Sequence, residues 1–154
     1  MRLAAAAALC LAAGCAGPGV IKAYQGSHGS DEIATIVTGV VEQEFTQTDN
    51  RISMVDGVRY ESAVYTAEVL AGERRFGVQG TLRSRMQPRV QHCNFQLNVE
   101  PRCTYKPQIP PYPRSAYDLK PGADWKLMRS MTVVAECADT TYAVQVPIDC
   151  ASSP

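Results

Sequence analysis

The chain has 154 residues, 45 % of them hydrophobic, and its 15 lysines and arginines balance 15 aspartates and glutamates. That length supports one domain with its own core, and the hydrophobic content excludes a disordered chain. A formal net charge of zero leaves no long-range field to recruit nucleic acid.

The first element is an apolar run, "LAAAAALCLAA" at residues 3–13, preceded by Met1-Arg2 and closed by Gly14. A bilayer span needs about 20 residues, so the run reads as the core of a cleaved secretory signal, residues 1–14. "LAAGC" at residues 11–15 resembles the lipobox of bacterial lipoproteins, with Ala12 instead of leucine three residues before Cys15. The resemblance implies that Cys15 becomes the first residue of the finished protein, its thiol carrying a diacylglycerol and its amine an acyl chain. Such a lipid load exceeds the roughly two chains that firm attachment needs. Ala16 in place of aspartate after the cysteine implies the outer membrane, with the domain facing the periplasm or the cell surface. The alternative is an ordinary secreted protein cut near Ala16-Gly17.

Setting Cys10 and Cys15 aside leaves Cys93, Cys103, Cys137 and Cys150. An even number after export fits two disulfides. A four-cysteine zinc site competes, but its CxxC spacing is absent, as is that of a redox motif. "CNFQLNVEPRC" reads as a strand reversing near Glu100-Pro101, which would return Cys103 opposite Asn98 and about 17 Å from Cys93. That exceeds the roughly 7 Å Cα reach of a bridge. The same argument separates Cys137 from Cys150 around "ADTT". The expected bridges are Cys93–Cys150 and Cys103–Cys137, joining two hairpins whose turns lie at one end; a looser turn would restore local pairing.

Residues 15–30 are rich in glycine and serine and read as a lipidated tether. The domain is expected over 31–150, with 151–154 as a tail. "EIATIVTGVV" is β-branched on both faces, the mark of a buried strand. Asp56-Gly57 within "RISMVDGVRY" signals a hairpin, and Ala71-Gly72 signals a second turn. Beyond it, Phe76, Val78, Leu82 and Met86 share one parity, while Gln79, Thr81, Arg83 and Arg85 share the other. "MTVVAEC" and "TYAVQVPID" form a last hairpin, in which Pro147 predicts an edge position. No segment shows a helical period, so the fold expected is all-β: a small antiparallel β-sandwich held by two disulfides.

"ISMVDGVRYESAVYTAEVLAGERRFGVQG" resembles the PEGA-type module, a strand ending in a "VDG" turn, an apolar stretch, a turn glycine and an extended strand. The lipobox, Tyr24-Gln25-Gly26, Asp56-Gly57, Leu70, Gly72 and Tyr105 together look similar to small bacterial envelope lipoproteins, over about residues 15–105. The resemblance implies a PEGA- or transthyretin-like sandwich and no particular chemistry.

Residues 106–125 form a connection with five prolines. It is either a stiff surface connector or a partner-binding loop using Tyr112, Tyr117 and Trp125. Arg83 and Arg85 share an outward face that is either solvated or directed at anionic lipid or an acidic partner. His28 and His92 have no partner at metal spacing, so no metal is expected. No G-x-S-x-G elbow and no glycine-rich phosphate loop occur. The function expected is non-catalytic: a lipid-anchored binding or assembly module, an accessory subunit of an envelope complex. Its partners would be membrane lipid and an envelope protein, not nucleic acid, and it would need no cofactor beyond the covalent lipid on Cys15. Alternatives are a lipid-anchored hydrolase inhibitor or small hydrolase, and a periplasmic metal or redox protein.

Overall fold

The structure, a computed structural model, describes residues 19–43, 46–83, 89–109 and 130–153. Residues 1–14, expected to be a signal, and Cys15, Arg85, Met86, Tyr112, Tyr117 and Trp125 lie outside the described residues. The described chain is all-β. Its strands are β1 (Val20–Lys22), β2 (Ile33–Val37), β3 (Val40–Gln43), β4 (Thr46–Val55), β5 (Val58–Val64) and β6 (Thr66–Leu70). They continue with β7 (Gly72–Arg83), β8 (Arg89–Val99), β9 (Thr104–Gln108), β10 (Ser130–Glu136) and β11 (Thr141–Ser153).

All eleven strands join one hydrogen-bonded path, β1-β6-β2-β9-β10-β11-β8-β7-β4-β3, with β5 also on β4. The path curls on itself, so residues from both ends of it fill one core that includes Ile36, Val69, Phe76, Phe95, Tyr105 and Val133. The pairing is not purely antiparallel: β1 runs parallel to β6, and β2 runs parallel to β9.

Two corners produce the curl. Along β11, Thr141–Pro147 pairs with β10, and Ile148–Ser153 pairs with β8. Pro147 sits at this handover and not in an edge strand, because a residue without an N–H is tolerated where the ladder changes partner. At the other corner β2 runs into β3 through Thr38-Gly39, and β5 runs into β6 through Tyr65. The Thr38 amide donates to the Tyr65 carbonyl at 2.8 Å, so the two chains turn together.

The local signals act as their chemistry predicts. Asp56 and Gly57 have φ of 48° and 84°, the two left-handed residues of a type I′ turn between β4 and β5. Phe76, Val78 and Leu82 point inward from β7, and Cys93, Phe95, Leu97 and Val99 point inward from β8. Phe76 and Phe95 are register partners with stacked rings, centroids 5.3 Å apart.

Both expected disulfides are present. Cys93 and Cys150 are direct partners across β8 and β11, with Cα atoms 4.0 Å apart. Cys103 and Cys137 extend the β9–β10 register by one pair, with Cα atoms 4.2 Å apart. Such separations belong to non-hydrogen-bonded pairs, where side chains approach closest.

Part of the route to that pairing is corrected. β8 and β9 are not a hairpin: β8 lies between β7 and β11, whereas β9 lies between β2 and β10. Residues 100–103 carry the chain from one part of the curl to another, with Arg102 at φ 63°. Ala71-Gly72 is likewise a corner, since β6 pairs with β1 and β2 and β7 pairs with β4 and β8. Part of the stretch expected as a tether, 15–30, belongs to the domain: Ile21 is 6 % exposed within the core, and β1 pairs with β6. The Tyr24 hydroxyl donates to Glu68 at 2.8 Å, and burial and that bond raise its pKa to about 12. Ala151, Ser152 and Ser153 are no tail, because they pair with β8.

Candidate functional site

The part of the sheet made of β4, β7, β8 and the end of β11 turns every second side chain outward, and most of those outward residues are polar, with Met54 and Pro147 among the exceptions. β8 presents His92, Asn94, Gln96 and Asn98, since its alternate positions are taken by the core. The β7 partners of the last three are Gly77, Arg75 and Glu73. Two adjoining depressions of about 640 and 500 Å³ share Glu73 and Gln96. One ends at Asn98 and Pro147; the other reaches Met54, Arg75 and the Asp56-Gly57 turn. Gly77 shapes the second, because a Cβ there would lie 2.9 Å from Met54 Cβ and 3.2 Å from Asn94 Oδ1. Glycine is what lets the Met54 side chain cross β7. The trough offers donors and acceptors from carboxamides, a chemistry of hydrogen-bonded recognition.

The Asp56 carboxylate is used internally. It accepts from Arg74 Nη1 at 3.0 Å and from the Arg75 amide at 2.9 Å. Arg74 Nε in turn donates to the Leu70 carbonyl at 2.9 Å. This holds the β4–β5 turn against the β6–β7 corner, so Arg74 is a clamp and not an available cation.

At the opposite end of the same face Asp49 collects three partners. Arg51 Nε donates to both carboxylate oxygens at 3.2 Å, and the Tyr65 hydroxyl donates to Oδ1 at 2.9 Å. Arg83 Nη2 lies 3.8 Å from Oδ2. The Arg51 guanidinium also stands 4.8 Å from the Tyr65 ring centroid. Burial pushes the Asp49 pKa up, but the hydrogen bonds from Arg51 and Tyr65 and the charges of Arg51 and Arg83 outweigh it, so the net shift is downward. A depressed carboxylate pKa contributes stability above the ordinary carboxylate range that is lost as pH falls through the folded value. Asp49→Asn is therefore expected to lower stability at neutral pH by about 1–3 kcal/mol, the scale for a lost charge-assisted hydrogen bond. Urea unfolding below about pH 4 should also show a flatter acid limb than the natural protein. An equally steep acid limb would mean that other carboxylates carry it.

Of the sequence-predicted site residues, Arg83 is at the end of β7 with its side chain 66 % exposed. It belongs to the Asp49 cluster. Arg85, Tyr112, Tyr117 and Trp125 are outside the described residues. His28 is not in a loose tether: it bonds Glu32 at 3.2 Å and the Gln25 carbonyl at 3.0 Å, and its ring meets Tyr24 edge-on. Among the described residues one group of potential metal ligands converges, Glu100, Cys103 and Cys137. Its two sulfurs are joined in a disulfide, which leaves no thiolate there to bind an ion. Asp49 is not legible in the sequence because Thr46–Asn50 has no apolar alternation, and the hairpin signal "RISMVDGVRY" begins only at Arg51. The amide-bearing positions of β8 were visible in "CNFQLNVE" as the polar half of an alternating strand.

Among the described residues no helix is long and apolar enough to cross a membrane. The fold defines a class, an all-β domain with a curled sheet and two cross-strand disulfides. Comparison with known proteins takes this no further: no family model, no curated protein and no solved structure matches the chain.

Proposed function

We propose that the protein is a lipid-anchored envelope module that binds or assembles with a partner and performs no catalysis. The observation that carries this reading is the cysteine inventory. All four cysteines beyond Cys15 are taken up in two disulfides. That is the usage of an oxidising compartment, and it leaves Cys15, in its LAAGC setting, as the one thiol of the mature chain. The position of β1 adds to it. Val20 is five Cα steps beyond Cys15, a span of at most about 18 Å when extended. A lipid on Cys15 would thus hold the domain close to the membrane surface. The carboxamide trough on β7 and β8 is the face we assign to the partner.

Intact mass of the protein purified from membranes, before and after reduction, tests this reading. The expected mass begins at Cys15, carries acyl additions, and rises by two hydrogens per disulfide on reduction. An unlipidated chain would remove the anchor and, with it, the envelope address.

A further inference from the structure

β1 determines where the N-terminal segment joins the domain. It runs parallel to β6 with Val20 opposite Thr66, so the chain enters β1 beside Tyr65, at the corner between β5 and β6. The Asp49 cluster stands at the same corner: the Tyr65 hydroxyl donates to Asp49 at 2.9 Å, and Arg51 Nη2 donates to that hydroxyl at 3.3 Å. The carboxamide trough lies at the other end of the domain. β6 leads away from Tyr65 to Leu70, whose carbonyl holds Arg74 beside the Asp56-Gly57 turn. β4 likewise runs from Asp49 here to Met54 in the trough.

Among the described residues three large hydrophobic side chains are exposed: Val40 at 43 %, Val58 at 57 % and Tyr65 at 36 %. Two of the three are at this corner, since Val40 is the register partner of Asp49. Beside them stand two guanidiniums, with side chains 43 % exposed for Arg51 and 66 % for Arg83, over a carboxylate only 9 % exposed. Asp49 orients both cations and offsets the charge of one, and each guanidinium has more N–H donors than Asp49 and Tyr65 use. A second carboxylate, Glu42, is on β3 and accepts from Gln47 at 3.4 Å. Exposed tyrosine, valine and arginine side by side are the residue types suited to the boundary between hydrocarbon and headgroups. The guanidinium fork matches a phosphate.

We infer that this corner rests on the anionic phospholipid surface that carries the anchor. Arg51 and Arg83 donate to headgroup phosphates, and Val40 and Tyr65 sit at headgroup depth. The length of chain ahead of β1 selects this occupant. Only five Cα steps separate Cys15 from Val20, a reach of at most about 18 Å, and Val20 is one strand spacing, about 4.8 Å, from Thr66. A lipid on Cys15 would keep its own membrane within reach of Tyr65, which makes docking an intramolecular step. Docked this way, the domain turns the trough away from the lipid, where a partner can reach it. The inference rests on the lipid-anchor reading and adds to it the orientation of the domain.

The test joins the mature chain from Cys15 onward, disulfides intact, to vesicles through a maleimide phospholipid on the Cys15 thiol, so it does not depend on whether a cell lipidates that residue. Trp125, the sole tryptophan, is replaced by phenylalanine throughout, and one reporter is added: Val40→Trp at the corner, or Val58→Trp beside Gly57 at the trough end. In vesicles of brominated phosphatidylglycerol and phosphatidylcholine, whose bromine quenches tryptophan at the bilayer, Val40→Trp is expected to lose fluorescence and Val58→Trp to keep it. Arg83→Gln should lower the ratio of docked to free domain about fivefold, the scale of one arginine at an anionic surface. Brominated phosphatidylcholine alone should lower it further. Equal quenching of the two reporters, quenching of Val58→Trp alone, or quenching of neither would overturn the proposal, as would a Val40→Trp signal indifferent to both Arg83→Gln and lipid charge. If Val40→Trp does not fold, Tyr65→Trp reports from the same corner. Failure here would leave the intact-mass experiment untouched, and an unlipidated mass would remove the anchor without altering this readout.

Discussion

Reducing both disulfides is expected to bring the domain to the edge of unfolding at room temperature. The bridges close loops with separations of 57 and 34 residues. Chain-entropy reasoning assigns either bridge alone about 4 kcal/mol, because the unfolded chain loses that much freedom. The loops are nested, so the effects do not simply add. Once Cys103–Cys137 is closed, Cys93–Cys150 constrains only the chain from Cys93 to Cys103 and from Cys137 to Cys150, worth about 3 kcal/mol. Together they approach the roughly 5–15 kcal/mol by which a whole domain is stable. Urea unfolding followed by far-ultraviolet circular dichroism, with and without reductant, measures this. The variant Cys93→Ser/Cys150→Ser should stay folded with a lower midpoint, and full reduction should move the midpoint close to zero denaturant. A reduced protein that keeps its midpoint would show that the bridges do not constrain the unfolded state.

Tyr105→Ala is expected to cost about 3–5 kcal/mol, the range for deleting a buried aromatic side chain. Tyr105 is the largest fully buried side chain among the described residues, with 0 % exposure. It stands between Ile36 of β2 and Ala135 of β10, where the parallel and antiparallel pairings of β9 meet. Its hydroxyl accepts from the Glu100 amide at 2.8 Å and lies 3.4 Å from the Tyr142 hydroxyl. Tyr105→Phe keeps the ring and strands the Glu100 N–H, and should cost about 1–2 kcal/mol. Burial, with the Tyr142 bond second, raises the Tyr105 pKa to about 12. A raised tyrosine pKa favours the neutral form, so its contribution is complete below about pH 10 and is lost as pH rises towards 12. Thermal unfolding of Tyr105→Phe should therefore show a shallower alkaline loss than the natural protein. Equal costs for the two substitutions would mean that the hydrogen bond, and not the packing, carries the effect.

The residue pattern alone determined what local chemistry controls. The alternation of Phe76, Val78 and Leu82 set the inner face of β7, and Asp56-Gly57 set a turn whose two positive φ angles glycine and aspartate tolerate. The outward amides of β8 were legible for the same reason, because a strand has a period of two. Cysteine parity and count pointed to the pairing that the fold adopts, although one of the two hairpins used to reach it does not exist.

Only the tertiary structure decided which strands are neighbours. A turn signal such as Ala71-Gly72 or Glu100-Pro101 says that the chain changes direction. It does not say whether the next strand pairs with the last or crosses to another part of the sheet. That choice depends on contacts distant in sequence, such as Thr35 with Thr104 or Val20 with Thr66. Asp49 with Arg51, Tyr65 and Arg83, and Asn50 beside Gly80 and Gln91, come together for the same reason. Their segments look merely polar along the chain, and a polar run becomes a buried cluster only when the curl of the sheet covers it.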